Sequence, residues 1–155
     1  MMNIDRSAIG RELPSTSLLI TRSRLRAFAK ATGQQDPTYT DVDAARQAGH
    51  RDLPVPPTFF YSIDLESPNP AAYLEDLGVD LRTALHGEQE FTYHQMAYAG
   101  DKLTSTCRIT DIYEKKGGLL GFIIRESTVT NQAGEKVATM RNTVVVQHDR
   151  KKDLS

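Results

Sequence analysis

The sequence predicts an α+β protein in which an antiparallel sheet wraps around a buried helix. Three observations lead there. Apolar residues in the first half fall at helical spacing. From about Ala84 the period changes to two, over four consecutive long strands. Between the halves a proline-stiffened arm, Leu53-Pro-Val-Pro-Pro57, leads directly into an apolar run.

Leu18, Leu19 and Ile20 read as a short lead-in strand. A helix then starts near Thr21 or Ser23, either of which can cap it, and Leu25, Phe28, Ala29 and Thr32 form one stripe at i, i+3, i+4 and i+7. Gly33 ends it in the C′ position. Asp41 caps a second short helix carrying Val42, Ala45 and Ala48, closed by Gly49. The Leu53–Pro57 arm cannot be helical, because proline lacks an amide hydrogen and restricts the residue before it. Thr58, Phe59, Phe60 and Ile63 follow as the core helix. Asn69 and Pro70 resemble an N-cap and N1 pair opening a small helix that ends at Gly78, so residues 66–82 read as a surface excursion.

In the stranded half, Phe91 and Tyr93 alternate with Glu90, Thr92 and His94. Ala99-Gly-Asp101 makes a turn, and Leu103, Cys107 and Ile109 line one face of the next strand. Gly117-Gly118 breaks the chain before Leu120, Phe122 and Ile124. Asn131-Gln-Ala-Gly134 is a hairpin turn, after which Ala138, Met140, Val144 and Val146 share a face.

The 155 residues, 39% hydrophobic, suffice for one buried core: a single domain with its core at about 5–147 and a charged tail at 148–155. A net charge of -1 argues against nucleic acid as a partner. The short clusters Arg22/Arg24/Arg26 and Arg150/Lys151/Lys152 read as solvated surface. Cys107 has no partner for an intrachain disulfide and reads as a small core filler. No apolar run reaches the roughly 18 residues needed to span a bilayer, and the N-terminus lacks an apolar leader segment. The expectation is a cytoplasmic protein. His86, Glu88, Glu90 and His94, two apart, are expected on one strand face. Without further closely spaced ligands they make no metal site, and no cofactor is expected.

Three stretches carry a resemblance: Ala31-Thr-Gly-Gln-Gln-Asp-Pro-Thr-Tyr39, followed by Asp41 and Ala44-Ala45; Gly49-His-Arg-Asp-Leu-Pro-Val-Pro-Pro-Thr-Phe59; and Leu85-His-Gly-Glu-Gln-Glu-Phe-Thr-Tyr-His94, followed by Ala99-Gly-Asp-Lys-Leu103. Together they resemble the N-terminal-type (FAS1-like) MaoC-like dehydratase domain, a hot-dog fold of acyl-thioester hydratases and dehydratases, over about residues 5–147. The third stretch is the most specific. Family members acting on (R)-specific substrates carry a loop resembling Gly-Asp-x-Asn-Pro-x-His, whose aspartate and histidine activate the water at the β-carbon. Such general acid–base help is worth on the order of 10²–10⁴-fold. In this chain the aspartate position holds Gln34, the asparagine position Asp36 and the histidine position Tyr39. Glutamine does not titrate, and tyrosine, with a pKa near 10, is a poor base at neutral pH. The family's His-Gly at the start of the central helix, whose glycine amide holds the thioester carbonyl, corresponds to Pro56-Pro57, which has no amide hydrogen.

The resemblance therefore implies a degenerate hot-dog, similar to the substrate-binding subunit of heterodimeric (3R)-hydroxyacyl-thioester dehydratases. Such a chain would bind an acyl-CoA or acyl-carrier-protein thioester with a second, catalytic hot-dog subunit, the acyl channel running between the two. His86, Gly87, Tyr39, Pro57 and His50 are the candidate substrate contacts, His86 first. Asp36, before a proline, reads as a turn residue. Two alternatives are a self-sufficient homodimeric hydratase using Asp36, Tyr39 or His86, and a non-enzymatic acyl-CoA or lipid-binding module.

Overall fold

The computed structural model describes residues 4–148. Its frame is a five-stranded antiparallel sheet in the order β1-β3-β4-β5-β2, built from β1 (Thr16–Leu19), β2 (Ala84–Tyr93), β3 (Lys102–Lys115), β4 (Leu120–Thr130) and β5 (Lys136–Gln147). The three central strands are rich in Val, Ile and Thr, which fit a pleated, half-buried surface. Local chemistry fixes their joints. The Asn131 side chain accepts from the amides of Ala133 and Glu135, and Gly134 takes a positive φ of 76°, closing the β4–β5 hairpin. The β3–β4 turn needs three successive left-handed residues, Lys116, Gly117 and Gly118.

Helix α1 (Arg22–Thr32) begins where the Thr21 hydroxyl caps the Arg24 amide and ends at Gly33 in the left-handed region. Leu25 and Ala29 are buried and Phe28 packs edge-on against Phe59. Thr32, expected on this stripe, is exposed, and its hydroxyl donates back to the Phe28 carbonyl. Asp41 caps α2 (Val42–Gln47). Each arginine of the Arg22/Arg24/Arg26 cluster is exposed but anchored, to Asp52, Glu66 and the Thr40 carbonyl respectively.

The core helix is short. A 3-10 turn at Pro57–Phe60 runs into α3 (Tyr61–Asp64), burying Phe59, Phe60 and Ile63. These pack with Leu25, Leu53, Leu103, Val129, Val137 and Met140 in the first of two core clusters. Burying each such side chain contributes about 1.5–3 kcal/mol. The second cluster corrects an expectation. Residues 66–82 are no surface excursion: Tyr73, Leu74, Leu77 and Val79 are buried against Ile109, Ile112, Ile123, Val144 and Val146. The helix in this segment, α4 (Ala72–Asp76), starts two residues later than Asn69-Pro70 implied, since the Asn69 side chain closes a turn onto the Ala71 amide instead of capping. Among the described residues no helix is long and apolar enough to cross a membrane. The Arg150/Lys151/Lys152 cluster, like all of the tail beyond residue 148, lies outside the described residues.

Candidate functional site

The loop after α1 is closed on itself. Gln34 accepts from the Asp36 amide through its side-chain oxygen (3.1 Å), and Asp36 accepts from the Thr38 amide (2.9 Å), capping a 3-10 turn at Pro37–Tyr39. The Thr38 amide holds the exposed Asp36 carboxyl below its ordinary range. Tyr39 is half-buried. Pro57 opens the core helix behind Pro56, so two successive residues there present no amide donor.

His50 sits in a different cluster. Its Nδ1 lies 3.2 Å from the Tyr98 hydroxyl, and the neighbouring Arg51 stacks on the Tyr98 ring while pairing with both carboxylate oxygens of Asp101 (2.7 and 2.8 Å). Asp101, only 3% exposed, also accepts from the Tyr98 amide and from Gln132. Burial works to raise its pKa, but the bonds from Arg51, Tyr98 and Gln132 prevail and lower it. This network ties the Gly100-Asp101 turn to the loop that precedes the core helix.

Strand β2 departs from simple alternation. His86 lies opposite Val144 but Glu88 opposite Thr143, so Gly87 is an inserted, bulged residue. Opposing residues of a ladder share a face, which puts His86 and Glu88 on opposite faces; the expected single row His86, Glu88, Glu90, His94 does not exist. His86 instead shares a face with Gln89, and both meet Asn142 of β5: the Asn142 Nδ2 lies 2.7 Å from His86 Nε2 and donates to the Gln89 oxygen at 3.1 Å. His94 lies beyond the strand, bonded to Thr139. Gly87 has a packing reason to be glycine: a Cβ there would fall 2.6 Å from a Val145 methyl. Among the described residues no three His, Cys, Asp or Glu side chains stand close enough to hold a metal.

His86 reaches a cavity of about 200 Å³ at the C-terminal end of the core helix, walled by Tyr61, Leu65, Leu74, Ala84 and Val144. A second cavity of about 370 Å³ adjoins it, reaching Leu13, Ser105 and Cys107. Asp64, Pro70, Tyr73 and Arg125 line both. Gln34, Asp36, Tyr39, Pro57, His50 and Gly87 line neither. Asp64 accepts hydrogen bonds from Ser105 (2.5 Å) and Ser127 (2.7 Å). Arg125, 8% exposed, lies over the Tyr73 ring at 4.3 Å and donates one bond, from Nη2 to the Asn142 oxygen at 3.2 Å. Because the guanidinium can only donate, it fixes the Asn142 amide with its oxygen inward; the NH₂ then faces His86, whose Nε2 must accept. Burial pushes the Tyr73 phenol up to about 12, against the opposing pull of Arg125, and also raises the Cys107 thiol. Both therefore stay protonated at neutral pH.

Sequence reasoning named His86 here but missed Arg125, Asn142, Asp64 and the two serines. The signal was present: Ile123, Arg125, Ser127 and Val129 share one parity on a strand, which places a charge among core positions.

An antiparallel sheet wrapped on a short core helix, with a lined cavity at that helix's end, defines the hot-dog class of hydratases and dehydratases. The family model "FAS1-like, dehydratase domain region" matches residues 7–140, and the chain belongs to that family. A curated relative, a UPF0336 protein of Streptomyces coelicolor, is 37% identical over 147 residues, covering 94% of this chain and 97% of its own. Among solved structures, a MaoC-like dehydratase is 27% identical with a TM-score of 0.78, over 91% of this chain and 42% of that longer one. A chain of the HadBC (3R-hydroxyacyl-ACP dehydratase) complex of Mycobacterium tuberculosis shares the fold at a TM-score of 0.69 and 24% identity, over 86% of this chain and 92% of its own.

Proposed function

We propose that this chain is the substrate-binding half of a two-hot-dog (R)-specific enoyl-thioester hydratase or 3-hydroxyacyl-thioester dehydratase. It holds a CoA- or carrier-protein-borne acyl group, and a catalytic hot-dog partner supplies the acid and base. One observation carries the reading: the groups where that chemistry would sit are inert. Gln34 cannot titrate, Asp36 is turned onto its own backbone, Tyr39 puts a phenol where the family's loop carries an imidazole, and Pro56-Pro57 offers no amide hydrogen. His86, the remaining candidate base, already accepts through Nε2 from Asn142. What persists is the lined cavity at the end of the core helix. The likeness to a subunit of a dehydratase complex supports the two-chain arrangement.

The test is hydration of crotonyl-CoA by the purified chain, alone and after co-expression with a hot-dog chain that carries aspartate and histidine in the loop. Turnover is expected only in the second case. Brisk turnover by the isolated chain overturns the proposal in favour of a self-sufficient homodimer.

A further inference from the structure

We infer that the cavity floor at Arg125 selects acyl groups bearing a carboxylate at their far end. The inference rests on the thioester-binding reading above and goes beyond it by naming a substrate class.

The argument starts from an incomplete donor set. A guanidinium offers five N–H groups, and Arg125 is more than nine-tenths buried, yet among the described residues only one of them finds an acceptor, at Asn142. Its Nε is sealed from solvent with no acceptor, and Nη1, which is not sealed, has none either. Among the described residues no carboxylate lies within ion-pair distance of it. Asp64 lines the same cavities, but both its oxygens are held by Ser105 and Ser127. Nor can Asn142 turn to serve Arg125 further, since its amide is already committed at both ends.

The ring of Tyr73 covers one face of the guanidinium and leaves its edge for in-plane acceptors. In-plane pairing at two N–H groups is the geometry that a carboxylate satisfies best. An alkyl end would be a poor occupant, because it would seal an unpaired charge away from water. The approach is aliphatic, formed by Leu65, Leu74, Ala84 and Val144, and suits a few methylenes between thioester and carboxylate.

Calorimetry on the wild-type chain with glutaryl-CoA, hexanoyl-CoA and free glutarate tests this, together with the ¹⁵N resonance of the Arg125 Nε. Glutaryl-CoA is expected to bind about tenfold or more tighter than hexanoyl-CoA and to move that resonance, and Arg125→Met to reverse the preference. Equal or tighter binding of hexanoyl-CoA overturns the inference and leaves the thioester reading standing. If neither thioester binds but glutarate shifts the Nε resonance, the carboxylate site stands and the thioester reading falls. If none of the three binds, both fall. Should Arg125→Met fail to fold, the wild-type preference and resonance decide alone.

Discussion

Asp101 and Arg125 are both buried ions, one in the turn before β3 and one in the middle of β4, and the fold treats them differently. Asp101 is fully answered: Arg51, Gln132 and the Tyr98 amide supply donors to a carboxylate whose charge burial disfavours. Among the described residues Arg125 has one acceptor and one aromatic face, and its other N–H groups stand beside two cavities without a partner. A completed ion shapes a turn. An incomplete one leaves its edge to something the chain does not contain. Hydrogen bonding separates the two where burial does not, since both residues are almost equally hidden.

The comparison breaks most readily at Asp101. Asp101→Ala strands the Tyr98 amide and part of Arg51, and urea denaturation should show a loss of about 3 kcal/mol. The carboxyl's pKa is lowered in the folded state, so its contribution is present above the unfolded value of about 3.9 and fades as pH falls through the folded one. The stability of wild type and Asp101→Asn should therefore converge on acidification, and parallel curves would count against the network. Gly87→Ala is expected to cost about 2 kcal/mol, because its new methyl collides with Val145. It should also shift the His86 ring resonances, whereas an unchanged histidine spectrum would mean the bulge does not set that side chain. Arg125→Met, by contrast, should change stability by no more than about 1 kcal/mol, and in the stabilising direction, since an apolar replacement removes an unanswered charge. A loss as large as that at Asp101 would erase the distinction. Smallest of all is the gain from Gln34→Asp with Tyr39→His: less than about tenfold in crotonyl-CoA hydration, because Pro56-Pro57 still lacks the carbonyl-holding amide.

What the sequence made legible was local. Thr21, Gly33, Asp41 and the Asn131–Gly134 turn mark boundaries through bonds made within a few residues, and all appear where their chemistry put them. The misreadings came where distant partners decide. Tyr73, Leu74 and Leu77 sit on a helix too short to show a period, and only the sheet beneath explains their burial. Counting by twos along β2 fails at Gly87, although an isolated glycine in a strand is itself a warning of a bulge. Of the candidate site residues, His86 alone lines the cavity, and the arginine that organises its floor resembles an ordinary strand charge until its neighbours are known.

The inserted residue in β2 has a consequence for how relatives are compared. Its two segments run out of phase, so even-numbered residues up to His86 share a face with odd-numbered residues from Gln89 onward. A homologue one residue shorter at this point would pair with its neighbour strand in plain alternation and still hold its imidazole on the Val144 side. A gap placed anywhere else in an alignment would exchange the inward-facing and outward-facing residues over the intervening stretch.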